Sequence, residues 1–146
     1  MNYFAFRVSS KHAQELSEEL KIGHLRQGWG YGKNQNLRLD ESQHDPKAKR
    51  NLPILHNVKK GDYLIVISMP DYKHVTLARA TKDFLSGYIY DEMSLTCGDF
   101  GHIFPAEHVK VLLKSQLSND LRNSFHCGLR FFSLQKHADE IQKFIS

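Results

Sequence analysis

The sequence predicts an α+β fold, a small curled antiparallel β-barrel of about six strands with flanking helices. Three observations lead to this prediction. Short apolar or alternating runs outnumber helical patterns, one helical pattern lies near each end of the chain, and strands and helices do not alternate regularly. A barrel hides the edges that such a sheet would otherwise expose. With 146 residues, the chain is expected to form a single domain, residues 1–146.

The N-terminal segment predicts a strand followed by a helix. Tyr3 to Val8 alternates between apolar and other residues, as a half-buried strand does. Ser9 and Ser10 offer an N-cap for a helix from about Lys11 to Lys21, and Gly23 is expected to end that helix.

The later segments are interpreted mainly as strands. The nearly continuous apolar run from Tyr63 to Ser68 is typical of a central strand, and the strand after it, 75–81, is expected to pair with it as an antiparallel hairpin. Further strands are predicted in "GYIYDE", "CGDFGHIFP", "VKVLL" and "CGLRFFSL". A brief helix capped by Ser118 and a helix from Leu134 to Ile145 complete the prediction.

The composition argues for a cytoplasmic protein without a membrane partner. No apolar run approaches the roughly 18 residues that a membrane span needs. The two cysteines, Cys97 and Cys127, do not make a disulfide framework, which favours a reducing compartment. The last helix ends on the apolar Phe144 and Ile145, so we expect that the natural protein continues into an effector domain.

Positive charge is concentrated in one part of the chain. Residues 21–60 hold nine Lys or Arg against three acids, a net +6, so the rest of the chain carries −2 of the total of +4. From Gly23 to about Asn57 the chain is polar and shows no sustained period. A polyanion such as nucleic acid would explain the concentration, because clustered cations release counterions from phosphates. A solvated basic loop is the alternative.

The stretch "GHLRQGWGYGKNQNLR", residues 23–38, holds the sole tryptophan between glycines. Trp29 and Tyr31 could stack on a base, and neighbouring cations could bind the phosphates. The predicted phosphate-binding residues are Arg26, Lys33, Arg38, Lys47, Lys49 and Arg50. The alternative is that Trp29 plugs the open end of the barrel as a core residue.

Motifs for catalysis, metals and cofactors match poorly. "GWGYGKN" fails as a phosphate loop, because Gln27 and Asn34 stand where a glycine and a Ser or Thr are needed. The histidines and cysteines lack the short paired spacing of closed zinc sites, and no nucleophile elbow is evident. We therefore expect no metal, no cofactor and no catalytic residue in this chain.

Other aromatic residues could share a base-binding site. Phe100 lies in a "GDFG" turn, flanked by Asp99 and by His102, which could hydrogen-bond the edge of a base. Tyr88 and Tyr90 are two residues apart and so would face the same side of a strand. For each of these residues, ordinary packing is the alternative.

Taken in order, "YFAFRVS", "LRQGWGYG", "GDYLIVISMPDYKHVTLARATKDF" and "DFGHIFPAEHVKV" resemble a PUA-like domain of the EVE and YTH kind. The resemblance covers about 110 residues. The segments "LRQGWG" and "DFGHIFPAE" also resemble N-terminal domains attached to modification-dependent restriction nucleases.

The resemblance implies recognition of a modified base that is flipped into an aromatic cage. Trp29 would form one wall of the cage, and the hairpin tip with Met69, Asp71 and Tyr72 would form a second wall. Asp99 and Phe100 would complete the pocket. Readers of methylated adenine usually carry a second tryptophan, which this chain lacks, so tyrosine or phenylalanine would have to replace it.

The sequence therefore predicts a nucleic-acid-binding module that is not itself an enzyme, with modified DNA preferred and RNA as the other candidate partner. Any nuclease activity would lie in a fused or partner domain. One rival is a small enzyme acting on a nucleotide with Asp99 and His102 as an acid–base pair. Another is a protein-interaction domain in which Trp29 anchors a partner.

Overall fold

The computed structural model describes residues 1–28, 37, 52–91 and 100–145. These residues form seven strands and five α-helices. The strands are β1 (Tyr3–Arg7), β2 (His24–Gln27), β3 (Tyr63–Ile67), β4 (His74–Ala80), β5 (Ile89–Tyr90), β6 (His102–Leu113) and β7 (Phe131–Ser133). The helices are α1 (Ala13–Lys21), α2 (Leu52–Asn57), α3 (Phe84–Gly87), α4 (Asn119–Ser124) and α5 (Ala138–Ile145).

The strands form one curled sheet in the order β2-β6-β4-β3-β1-β7, and β5 pairs with β6. This confirms an α+β fold with a sheet bent into a half-barrel and helices packed around it. The predicted hairpin is present, because β3 and β4 pair antiparallel with Tyr63 opposite Arg79.

The prediction of a purely antiparallel sheet is wrong at one pair. β1 runs parallel to β3, with Tyr3 opposite Tyr63. A parallel pair needs a long crossover, and residues 8–62 provide it. The sequence pattern of each strand does not reveal the direction of its partner.

Strands β1 and β3 are buried on both faces of the sheet, which explains the apolar run of β3. Phe4, Phe6, Leu64 and Val66 belong to one core cluster, which also contains Leu16 and Leu20 of α1, Ile54 and Leu55 of α2 and Phe84 of α3. The intervening strand residues, among them Ala5 and Ile65, face a second cluster with Leu121 of α4 and Ile141 of α5. Because alternate residues of a strand face opposite sides, both sets must be apolar.

Several predicted boundaries change. "GHIFP" and "VKVLL" are parts of one strand, β6, because Pro105 lies inside it, where the paired partner changes from β2 to β4. Strand β2 and helix α2 lie within the stretch 23–57 that showed no period. Helix α1 begins after a 3-10 turn at Ser10–His12, and no side-chain hydrogen bond caps either element.

Two helix ends match their predictions. The N–H of Gly23 donates to the Leu20 carbonyl at 2.9 Å, with a φ of +94° that favours glycine after a helix. The Ser118 side chain accepts from the Leu121 N–H at the start of α4. In the part of the chain that the structure describes, no helix has the length and apolar character to cross a membrane.

Candidate functional site

Three strand ends meet at His102. As the first residue of β6, it pairs with Gln27, the last residue of β2, on one side. On the other side it pairs with Tyr90, the last residue of β5. Both neighbours run antiparallel to β6, so the chain leaves β2 and β5 and enters β6 at the same end of the sheet. Residues attached at these three ends are therefore held near one another.

The His102 imidazole is buried and neutral. Its exposed fraction is 1%, and burial lowers its pKa to about 3. The Tyr88 hydroxyl lies 2.7 Å from Nδ1 and accepts a hydrogen bond from the Leu37 N–H at 3.1 Å. We assign the hydroxyl proton to Nδ1, which places the imidazole proton on Nε2.

Aromatic rings surround this imidazole and form what we call the His102 cluster, namely His102, Tyr88, Tyr90 and Phe104. The ring centroids of Tyr90 and Tyr88 lie 5.0 and 5.9 Å from that of His102. The Phe104 ring lies 5.4 Å from Tyr88. Residues 88 and 90 thus contact the same imidazole, although Tyr88 precedes β5 and only Tyr90 lies within the strand.

Phe100, predicted for the base pocket, lies next to this cluster. Its side chain is buried in the same core as Tyr88 and Phe104, and its ring meets the edge of His12 with centroids 5.3 Å apart. Its carbonyl accepts from Arg26 Nη1 at 3.1 Å. The structure therefore places Phe100 and His102 in one region, with Gly101 between them.

Arg26, predicted to bind phosphate, is an interior residue. Its side chain is 5% exposed, and its Nε donates to Glu19 of α1 in an ion pair. Together with the bond to Phe100, this pair ties α1 and β2 to the turn before β6. Arg26 therefore belongs to the interior and not to a surface that contacts phosphate.

The residues predicted at the hairpin tip differ in exposure. Met69 is fully buried in the core that contains Phe100, and its carbonyl accepts from Thr76 Oγ1 at 2.9 Å. Asp71 lies 2.6 Å from His74 Nδ1, and this hydrogen bond lowers the pKa of its carboxyl. Tyr72 is 72% exposed, so its ring is accessible to a ligand.

In the strand register, the tip of the β3–β4 hairpin lies near the end of β6 and not near its start. His74, at the start of β4, pairs with Leu113, the last residue of β6, whereas His102 is the first. The segment that carries Trp29 therefore follows the strand end paired with the start of β6, whereas the hairpin tip lies near the end of β6.

Eight of the predicted site residues lie outside the described residues, namely Trp29, Tyr31, Asp99, Lys33, Arg38, Lys47, Lys49 and Arg50. The attachment point of the Trp29 segment is described. Gly28 follows β2 directly, its N–H donates to Gln27 Oε1 at 3.1 Å, and its carbonyl accepts from Arg130 Nη1 at 2.7 Å.

Sequence reasoning missed three cations at strand ends, one of which contacts Gly28. Arg7 ends β1, Arg130 precedes β7 and donates to Gly28, and Lys114 follows β6. They are far apart in the sequence and lie outside the basic segment 21–60. No pattern of spacing could have found them, because the sheet order brings them together.

Among residues 1–28, 37, 52–91 and 100–145, no group of three or more His, Cys, Asp or Glu side chains is arranged to hold a metal ion. Comparisons with models of protein families, with curated proteins and with solved structures gave no match to this chain.

Proposed function

We propose that this chain is a nucleic-acid-binding sensor that recognises a modified base, preferably in DNA, by drawing it into an aromatic pocket. It alters no bond in its ligand. The observation that carries the proposal is the meeting of the ends of β2, β5 and β6 at His102, because Gly28, one residue before Trp29, continues from this end of β2.

The chemistry of the described residues suits a flat, polar ligand. Tyrosine and histidine rings gather at the strand ends, and base–aromatic stacking is worth roughly 1–3 kcal/mol per base. In the proposed site, Trp29 and Tyr31 add the stacking surfaces and Asp99 reads a base edge. A methyl group on the base would add about 0.8 kcal/mol by apolar burial.

The resemblance to PUA-like domains of the EVE and YTH kind agrees with a curled α+β sheet and supplies the modified base as ligand. We extend it to the whole of residues 1–146, with phosphates bound by Lys33, Arg38, Lys47, Lys49 and Arg50. On this proposal, the module directs a fused or partner effector, such as a nuclease, to modified DNA.

The rival enzyme would use Asp99 and His102 as an acid–base pair. A general acid or base works best when its pKa lies near the working pH. The pKa of His102 is about 3, and its Nδ1 is hydrogen-bonded to Tyr88. These features favour a structural or ligand-positioning imidazole over a proton-transfer group.

Binding of short oligonucleotides tests the proposal. Oligonucleotides with methylcytosine, methyladenine or no modification are titrated against the wild type and Trp29→Ala. We expect a preference for one modification in the wild type, and a loss of about 5- to 150-fold in affinity for that oligonucleotide in Trp29→Ala, the equivalent of 1–3 kcal/mol of stacking.

Ile22→Ala is the matched control, because Ile22 is an exposed apolar residue just beyond α1. It should bind like the wild type. Equal affinity of the wild type for all oligonucleotides would contradict base reading. Loss of a protein partner in Trp29→Ala, without any effect on nucleic acid, would instead favour the protein-interaction domain.

A further inference from the structure

Lys114 lies in a cluster of positive groups at the end of β1 and β3. Its Nζ donates to Ser68 Oγ at 2.9 Å, and its N–H donates to the Lys73 carbonyl at 2.9 Å. Ser68 follows Ile67, which pairs with Arg7 in the parallel β1–β3 ladder. The sheet register thus brings Lys114 and Arg7 to the same end of the sheet.

Arg130 extends this cluster to the neighbouring strand. The Arg7 N–H donates to the Arg130 carbonyl at 2.8 Å, just before β7 begins. The guanidinium of Arg130 donates to the Gly28 carbonyl. The Lys114 ammonium group at Ser68, Arg7 and Arg130 therefore lie at the ends of β3, β1 and β7, which are neighbours in the sheet and about 5 Å apart.

Acidic groups do not balance this row. Among the described residues, none of the three cations forms an ion pair with a carboxylate. Asp71 acts on Lys114 at longer range, and its carboxylate is already hydrogen-bonded to His74. Partial burial and the charge of Arg7 lower the pKa of Lys114, and the attraction of Asp71 offsets these effects only in part. A bound anion would stabilise the charged form further.

We propose that Arg7, Lys114 and Arg130 form a binding site for the phosphodiester backbone of a nucleic acid strand, across the ends of β3, β1 and β7, with Arg130 at Gly28. The inference rests on the proposed function, since it assigns the backbone contacts of the same ligand. The phosphate-binding role that the sequence suggested for Arg26 is thereby assigned to three other cations.

The three cations have different additional roles, which decides the choice of variants. Arg7 also donates to the carbonyls of Phe125 and Cys127 beyond α4, so its replacement would disturb the fold. Lys114 and Arg130 are better targets. Lys82 provides the control, because it is an exposed lysine just after β4, at the end of that strand opposite the hairpin tip.

The test uses an unmodified single-stranded DNA of about ten nucleotides, within the range that single-strand sites cover. Affinity is measured at several salt concentrations for the wild type, Lys114→Gln, Arg130→Gln and Lys82→Gln. We expect affinity to fall about three- to tenfold in the first two variants. We expect the plot of log affinity against log salt to become shallower by about 0.7 for each lost contact.

Lys114→Arg keeps the positive charge, so its salt slope should equal that of the wild type. If Lys114 only held Ser68 in place, the salt slope would not have to depend on this charge. Slopes of Lys114→Gln and Arg130→Gln equal to that of Lys82→Gln would overturn the site. No binding of the oligonucleotide by the wild type at low salt would also overturn it.

The probe carries no modification, so this test separates the two proposals. A changed slope in Lys114→Gln without any preference for modified bases would support the backbone site and contradict base reading. A preference for modified bases with unchanged slopes would support base reading and contradict the backbone site.

Discussion

At the scale of single residues, burial decides what His102 can do. The imidazole lies among Tyr88, Tyr90 and Phe104, and burial there lowers its pKa to about 3. A neutral imidazole can donate one hydrogen bond and accept one, and Nδ1 of His102 accepts from the Tyr88 hydroxyl. Because of this burial, protonation of His102 at low pH should destabilise the folded protein.

Acid should destabilise the protein through His102. Its pKa is about 3 in the folded state, against an ordinary value of 6.5, so between these values the unfolded state binds more protons. The free energy of unfolding should therefore fall with decreasing pH, by up to about 1.4 kcal/mol per pH unit from this group alone. Urea unfolding from pH 7 to pH 4 measures this slope.

In His102→Gln, which cannot be protonated, the slope between pH 6 and pH 4 should be shallower by up to that amount. His108, whose pKa is also lowered by burial, contributes to both proteins. The control is His126→Gln, in which an exposed imidazole is replaced. An unchanged slope in His102→Gln would mean that His102 is not buried as a neutral group.

At the scale of elements, the turn that enters β6 is tightly packed against β5. A Cβ added to Gly101 would lie 2.7 Å from Tyr90 Cε2 and 3.1 Å from the Asp91 carbonyl oxygen. The close approach of β5 to this turn therefore requires glycine at position 101. It also places Tyr90 against His102.

Gly101→Ala should lower the free energy of unfolding by about 1–3 kcal/mol, because overpacking must displace the Tyr90 ring or the backbone. The matched control is Gly128→Ala, since an added Cβ there meets nothing within 4 Å. Urea unfolding compares the two. Equal stability of both variants would show that β5 is not packed on this turn.

Sequence patterns could predict some strands and side-chain pairs of this fold but not others. Strand β3 was predictable because burial on both faces leaves a continuous apolar run. The continuity of β6 was not, because proline usually ends a central strand. The sequence suggested Arg26 as a phosphate-binding cation, because Glu19, its partner, lies on a different element and nothing local marks the pair.

At the scale of the molecule, the candidate site depends on connectivity. Sequence reasoning placed Phe100 and His102 in one site, and the structure holds them in one region. It could not show that β2, β5 and β6 meet there, because strand order is a property of the whole sheet. The role of Trp29 depends on the same connectivity, since Gly28 joins it to this end of β2.

The most direct test of a base-reading site is the fluorescence of Trp29, which is the sole tryptophan and so the only indole reporter. Short DNA and RNA strands with methylcytosine, methyladenine or no modification are titrated at two salt concentrations. A base-reading site should give quenching that depends on the modification and weakens as salt rises, because a base stacks on the indole while cations hold the backbone. An emission that is already blue-shifted in the protein alone, and that no oligonucleotide changes, would make Trp29 a core residue and contradict base reading.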